Sequence, residues 1–221
     1  MSKERCAVNF LVFAGSSRKD SYNGRLATLA GRAAANVGAA VDNACFTDFP
    51  VPWYDQDVET EAGIPVGAQR FAERLNAADG LILSSPEYNA SMPGAVKNLI
   101  DWVSRIRPQP FNGKQALLLS ASPSMAGGNR GLWSLRIPLE HLGMRVYPDM
   151  FSLAQAHKAF SGEGLADSTL QSRFDSTIAG FIDLVEAAKH YGTIRKQWIE
   201  FLGEHPHGPM DRVETSPADA A

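Results

Sequence analysis

The stretch CAVNFLVFAGSSRKDSYNGRLATLAGRAAANV, residues 6–37, decides the fold. Its first part, Cys6–Gly15, is nearly all apolar, as a strand buried on both faces should be. Its last part, Asn23–Val37, places Leu26, Leu29, Ala30, Ala33 and Val37 at three- and four-residue spacing, which predicts an amphipathic helix. A polar loop joins the two. A strand, a loop and a helix in that order make the opening of a β-α unit.

The pattern repeats down the chain. Strands are expected at Ala40–Phe46, Gly80–Ser85, Lys114–Ala121 and Arg145–Pro148. Helices are expected at Val66–Ala77, Pro93–Arg105, Arg130–Leu142 and Ser168–Tyr191, with a shorter helical piece at Arg195–Leu202. Two long connections read as loops, one from Thr47 to Gly67 and one from Met150 to Asp167. Five β-α units in strict alternation imply one parallel sheet with helices on both faces. Residues 1–202 are expected to form this unit, and residues 203–221 read as a flexible C-terminal tail without periodicity.

Composition narrows the function. The chain of 221 residues is 44% apolar and 20% charged, values that suit a packed core rather than wholesale disorder. A formal net charge of -3 gives no basic stripe for nucleic acid. Two cysteines, Cys6 and Cys45, lie far apart and form neither a zinc pair nor a disulfide framework, so a reducing cytoplasm is expected. The apolar run near the N-terminus reads as a buried strand rather than a secretory signal, and no run is long enough to cross a membrane. The isolated His141, His157 and His190, and the pair His205 and His207 in the tail, are not read as metal ligands.

In an open parallel sheet, ligands bind beyond the carboxyl ends of the strands. Three loops there draw the attention. The first, GSSRKDSYN at residues 15–23, is neither a dinucleotide fingerprint nor a Walker loop. It instead gathers Ser16, Ser17, Ser21, Asn23, Arg18 and Lys19 at a helix N-terminus, which suits a phosphate dianion. The second, SSPEYNASMPG at residues 84–94, mixes flat apolar surface with hydrogen-bonding groups, as a planar heteroaromatic ring would require. The third, Ser120–Asn129, contains Gly127 and Gly128, which permit close backbone approach or positive φ. Taken by themselves, the last two loops also fit ordinary turns.

With all three loops in view, the chain resembles the NAD(P)H-dependent FMN reductase family of flavodoxin-like proteins, which includes quinone, azo-dye and chromate reductases. The matching strings are GSSRKDSYNGRLA, PVPWYDQDV, SSPEYNASMPGAVKNLIDWVSR and SPSMAGGNRGLWSLRIPLEHLGM, in the family's order, and they span about residues 6–185. The resemblance implies a three-layer α/β sandwich with a five-stranded parallel sheet in order 2-1-3-4-5. It implies bound FMN and NAD(P)H as co-substrate, with hydride passing through the flavin to a quinone, azo dye, chromate or similar acceptor. Carried over by position, Ser16, Arg18, Ser21, Tyr22 and Asn23 would hold the FMN phosphate end. Pro86, Glu87, Tyr88 and Asn89 would line the ring, with Ser122, Gly127 and Gly128 approaching from the other side. No side chain is expected to be catalytic, because the flavin supplies the chemistry.

The resemblance further implies a homodimer or homotetramer, with the Trp53–Tyr54 loop and the helix around Trp102 and Arg105 as candidate boundaries; Trp102 reads equally well as core. Asp20 departs from the family pattern, in which glycine is common at that place, and Pro123 departs in the third loop. Two other readings stay open at this level: a flavodoxin-like carrier without NAD(P)H activity, and a relative that oxidises organoarsenicals. A phosphoacceptor signalling domain is set aside, since Gly15–Ser16 and Ser84–Ser85 stand where it needs acids.

Overall fold

The computed structural model describes residues 7–202. The opening stretch forms β1 (Asn9–Ala14) and α1 (Tyr22–Asn36), and Cys6 lies outside the described residues. Then follow β2 (Ala40–Ala44), α2 (Gln56–Ala62), α3 (Val66–Ala77), β3 (Gly80–Ser84) and α4 (Gly94–Val103). The second half contains β4 (Gln115–Ala121), α5 (Asn129–His141), β5 (Arg145–Val146), β6 (Phe151–Leu153), α6 (Ala156–Ala159), β7 (Phe160–Ser161), β8 (Gly164–Leu165) and α7 (Ser168–Leu202). The sheet runs in the order β2-β1-β3-β4-β5, every pair parallel, with β6 also pairing to β4. The architecture is the expected flavodoxin-like α/β fold.

Alternation along β1 divides the core in two. Leu11 and Phe13 pack with α3, α4 and α5 on one face, through Phe71, Trp102 and Leu135 among others. Phe10 and Val12 pack with α1 and α7 on the other, through Leu26, Ala30, Phe174 and Phe181. Each central strand therefore buries both its faces, which is why β1, β3 and β4 are apolar runs without alternation. Phe71 is the hub of the first face, with ring centroids 5.5 Å from Phe13, 5.1 Å from Phe49 and 6.1 Å from Phe111.

Four readings of the sequence are corrected. The fifth strand is interrupted: β5 pairs with Gln115–Ala116 and β6 with Leu119–Ala121, so Tyr147–Met150 run alongside only Leu117 and Leu118. Two surplus residues must bulge there, and Pro148 has no N–H to give the ladder. The connection after Met150 is not a plain loop but contains β6, α6 and a β7–β8 hairpin. The loop after β2 contains α2, capped by Asp55, whose side chain accepts from the Asp57 N–H at 2.8 Å. The last helix continues through Gly192 without a break, since one interior glycine costs a helix only about 1 kcal/mol.

Truncating the hub should be costly. Phe71→Ala is expected to lower unfolding stability by about 3–5 kcal/mol. Chemical denaturation would check this, and a loss below about 1 kcal/mol would show that the aromatic cluster can close over the gap.

Candidate functional site

The sheet places the three loops together. Ala14 and Ser84, the last residues of β1 and β3, lie in register with Leu119, two residues before the end of β4, and the chain leaves each strand at the same edge. Gly15 donates to the Ser84 carbonyl at 2.9 Å and Ser85 to the Leu119 carbonyl at 2.8 Å, extending the ladder by one step. A Cβ on Gly15 would lie 2.6 Å from Val96 Cγ2, so glycine is what lets the first loop turn over α4.

Within the first loop, Ser21 is the N-cap of α1, its Oγ accepting from the Gly24 N–H at 3.3 Å. Ser16 Oγ accepts from the Arg18 N–H at 3.4 Å, and Arg18 donates to the Asp20 carbonyl at 3.3 Å while lying 5.6 Å from the Tyr22 ring centroid. Among the described residues the N–H groups of Ser17 and Lys19 have no acceptor, and those of Tyr22 and Asn23 belong to the open first turn of α1. Hydroxyls, a guanidinium and free N–H groups at a helix dipole fit a phosphate ester. Asp20 adopts φ 57, the left-handed region where glycine is most at ease and Asp is tolerated. The exposed Asp20 side chain stands in solvent.

Asn23 is different from what its type suggests. It is buried, its Nδ2 donates to the Ala121 carbonyl at 2.9 Å, and its Oδ1 accepts from the Ala121 N–H at 2.9 Å and the Ser84 hydroxyl at 3.0 Å. The amide ties α1 to the ends of β3 and β4. Its backbone N–H, in the first turn, is what it can offer an anion.

In the second loop, Tyr88 and Ser91 exchange backbone hydrogen bonds at 2.8 and 3.0 Å around Asn89 at φ 50 and Ala90 at φ 60. Both central residues sit in the left-handed region, as a two-residue hairpin turn of type I′ demands. For Ala90 this costs roughly 1–2 kcal/mol. The turn leaves Tyr88 exposed beside the half-buried Pro86. The Glu87 carboxylate accepts from Arg130 Nε at 3.0 Å and from the Gly131 N–H at 3.1 Å. Gly128, the N-cap of α5, has no side chain to cap with, so Glu87 caps α5 from another loop. Sequence reasoning missed Arg130 and also Ser134, whose Oγ accepts from the Met92 N–H at 2.7 Å.

The third loop is shaped by contact from below. Gly127 and Gly128 adopt φ 63 and 87. A Cβ on Gly128 would lie 2.0 Å from Ser120 Oγ, and one on Gly127 would lie 3.0 Å from the Ala154 nitrogen. Ser120 Oγ is the buried side-chain polar atom without a partner among the described residues, a site too small for anything but glycine above it. Ser122 Oγ accepts from the Ser124 N–H at 3.2 Å, so Pro123 sits inside a tight serine turn.

Comparison with known proteins decides what this cradle belongs to. Residues 8–158 match the family model described as NADPH-dependent FMN reductase. The chain belongs to that family. It is 42% identical over 147 residues to a quinone reductase of Escherichia coli, covering 66% of this chain and 75% of that protein. It is 36% identical over 159 residues to an NAD(P)H-dependent FMN reductase of Pseudomonas aeruginosa, covering 71% and 83%. Among solved structures, the flavoenzyme NAD(P)H:(acceptor) oxidoreductase FerB of Paracoccus denitrificans superimposes with a TM-score of 0.70 at 26% identity, over 82% of this chain and 99% of that one.

Of the two readings of Trp102, the structure supports the core. Trp102 is fully buried, its indole N–H donating to the Pro52 carbonyl at 2.8 Å, with Asn98 Nδ2 donating to the same oxygen at 2.8 Å. Arg105 pairs with Glu59 at 3.0 Å. Asn98 and Trp102, one turn apart on α4, thus hold the loop after β2 to the subunit's own core. Trp53 on that loop is 76% exposed. His205 and His207 lie outside the described residues.

Removing the Asn23 amide leaves Ala121 and Ser84 with buried groups unpaired. Asn23→Ala is expected to cost at least about 3 kcal/mol, at roughly 1–3 kcal/mol for each of the three orphaned groups. A thermal melt should then show the midpoint lowered by roughly 5–10 °C, and a midpoint within 1 °C of the parent chain would mean that water replaces the amide.

Proposed function

We propose that the chain passes reducing equivalents from NAD(P)H through bound FMN to a quinone-class acceptor. One observation supports this most directly. The serine and arginine loop, opening on the first turn of α1, is fixed by Asn23 beside the two loops that follow β3 and β4. A phosphate-bearing planar ligand can then be gripped at one end and supported along its ring. Membership of the FMN reductase family names such a ligand, and the E. coli and P. aeruginosa relatives are named for quinone and FMN reduction.

FMN, when bound, supplies two-electron chemistry by itself. The chain's part is to bind and orient. In this reading Ser16, Arg18 and Ser21, with the N–H groups of Ser17, Tyr22 and Asn23, hold the phosphate. The backbone of Pro86–Asn89 and the Ser122–Gly128 turn support the ring. Glu87 and Arg130 brace those two loops against each other rather than touching a reactant. The strained turn at Asn89 and Ala90 keeps Tyr88 at the rim, a flat surface for a stacked nicotinamide or quinone.

The reading extends to a homodimer or homotetramer working in the cytoplasm. Trp53, Trp133 and Ile137 are 76%, 56% and 72% exposed, large apolar surfaces of the kind that subunit contacts cover. Among the described residues no helix is long and apolar enough to cross a membrane.

Arg18→Ala should weaken FMN binding about tenfold to a hundredfold, since a charge-assisted hydrogen bond contributes roughly 1.5–3 kcal/mol. Fluorescence titration of the apoprotein measures it directly. Unchanged affinity would remove Arg18 from the phosphate site, and failure of the unaltered chain to bind FMN at all would overturn the function.

A further inference from the structure

The phosphate loop has a second exit. A groove of about 1120 Å³ begins at Ser16, Arg18 and Ser21 and runs over the outer face of α1, past Arg25, Thr28 and Arg32. Its walls come from two places the sequence reading left unassigned. One is the end of β2 and the turn after it, Asn43–Thr47, and the other is the tip of the β7–β8 hairpin, with Phe160, Gly162 and Glu163. The loops after β3 and β4 do not line it. A ligand whose phosphate sits in the first loop therefore meets the ring cradle in one direction and this groove in the other.

The chemistry of the groove is that of a nucleotide. Arg25 and Arg32 are seven residues apart, two turns, and so fall on one face of α1. At 1.5 Å per residue, Arg25 lies about 6 Å and Arg32 about 16 Å beyond the Ser21 cap along the helix. Arg32 is paired with Glu163 at 3.1 Å, whereas Arg25 makes no ion pair among the described residues. The Arg25 guanidinium lies 4.3 Å from the centroid of Phe160, whose ring stacks at 10° on Tyr22 with centroids 6.4 Å apart. Phe46 offers an aromatic surface on the opposite wall. A cation one turn beyond the first phosphate, with aromatic walls on either side of the groove, suits a second phosphate followed by a purine base.

We propose that this groove takes the adenylate half of a flavin adenine dinucleotide, so that the chain accepts FAD as well as FMN. The inference rests on the flavin reading above, and adds to it a site for the part of the cofactor that FMN lacks. The Arg18 loop then holds the phosphate nearer the flavin, Arg25 the one nearer the adenosine, and Phe46 and Phe160 flank the base.

Titration of the full-length apoprotein with FMN, with FAD, and with AMP after FMN loading tests it. FAD is expected to bind at least as tightly as FMN, and AMP to bind the FMN-loaded chain at least tenfold more weakly than FAD binds the apoprotein. Arg25→Gln removes the cation, and Thr28→Trp fills the groove floor from an exposed helix position. Each should weaken FAD at least tenfold while FMN stays within twofold. FAD binding tenfold weaker than FMN in the unaltered chain would overturn the proposal and leave the FMN site standing. So would equal losses for both flavins in the two variants. AMP binding to the FMN-loaded chain as tight as FAD binding to the apoprotein would assign the groove to a free nucleotide instead. If neither flavin binds, the flavin reading fails and this inference falls with it.

Discussion

One buried amide fixes the geometry on which the cradle depends. Asn23 stands in the first turn of α1, yet its side chain accepts and donates across to Ala121 at the end of β4 and accepts from Ser84 at the end of β3. A helix N-terminus joined to its strand only by a loop can tilt by several degrees, and the free N–H groups would tilt with it. Three hydrogen bonds, made away from water where a lost partner costs about 1–3 kcal/mol, remove that freedom. The first loop and the loops after β3 and β4 therefore share one rigid frame, which is what the proposed hold on a long cofactor at both ends requires.

A second brace works in the same way between the other two loops. Gly128 must be glycine because Ser120 lies beneath it, so α5 begins with an N-cap that has no side chain. Glu87 fills that role from the loop after β3, and Arg130 lies on its other oxygen side as a counter-charge. The steric demand at Ser120 and the electrostatic demand at the start of α5 thus explain each other.

Much of this was legible in the amino-acid sequence, and the exceptions follow a rule. The order of strands and helices came from periodicity, because β1, β3 and β4 are buried on both faces and read as apolar runs. The three loops came from composition. The hydrogen bonds that Asn23 and Glu87 make within the fold are not legible in the sequence, since their partners lie 98 and 43 residues away and residue type says nothing about direction. Trp102 was ambiguous for the same reason until Pro52 was seen to accept its indole N–H. The helix α2 did have local signals, with Asp55 at its start and Gly63 at φ 73 after its end, but they were hidden in a stretch rich in proline and acid.

The β7–β8 hairpin shows why the remainder could not be read. Each strand has two residues, too short for any alternation to register, and only Gly162 in the turn and Gly164 at the start of β8 mark it. Its position is set instead by the interruption of the edge strand. The bulge at Tyr147–Met150 lets β6 rejoin β4 beyond β5, and the chain then leaves the sheet at the ligand edge rather than short of it. From there α6 and the hairpin reach α1, where Phe160 meets Tyr22 and Arg25. The seven-residue spacing of Arg18, Arg25 and Arg32 was present in the sequence all along. It acquired chemical meaning once Phe160 and Glu163 were placed beside it, turning a solvated helix face into the floor of a groove.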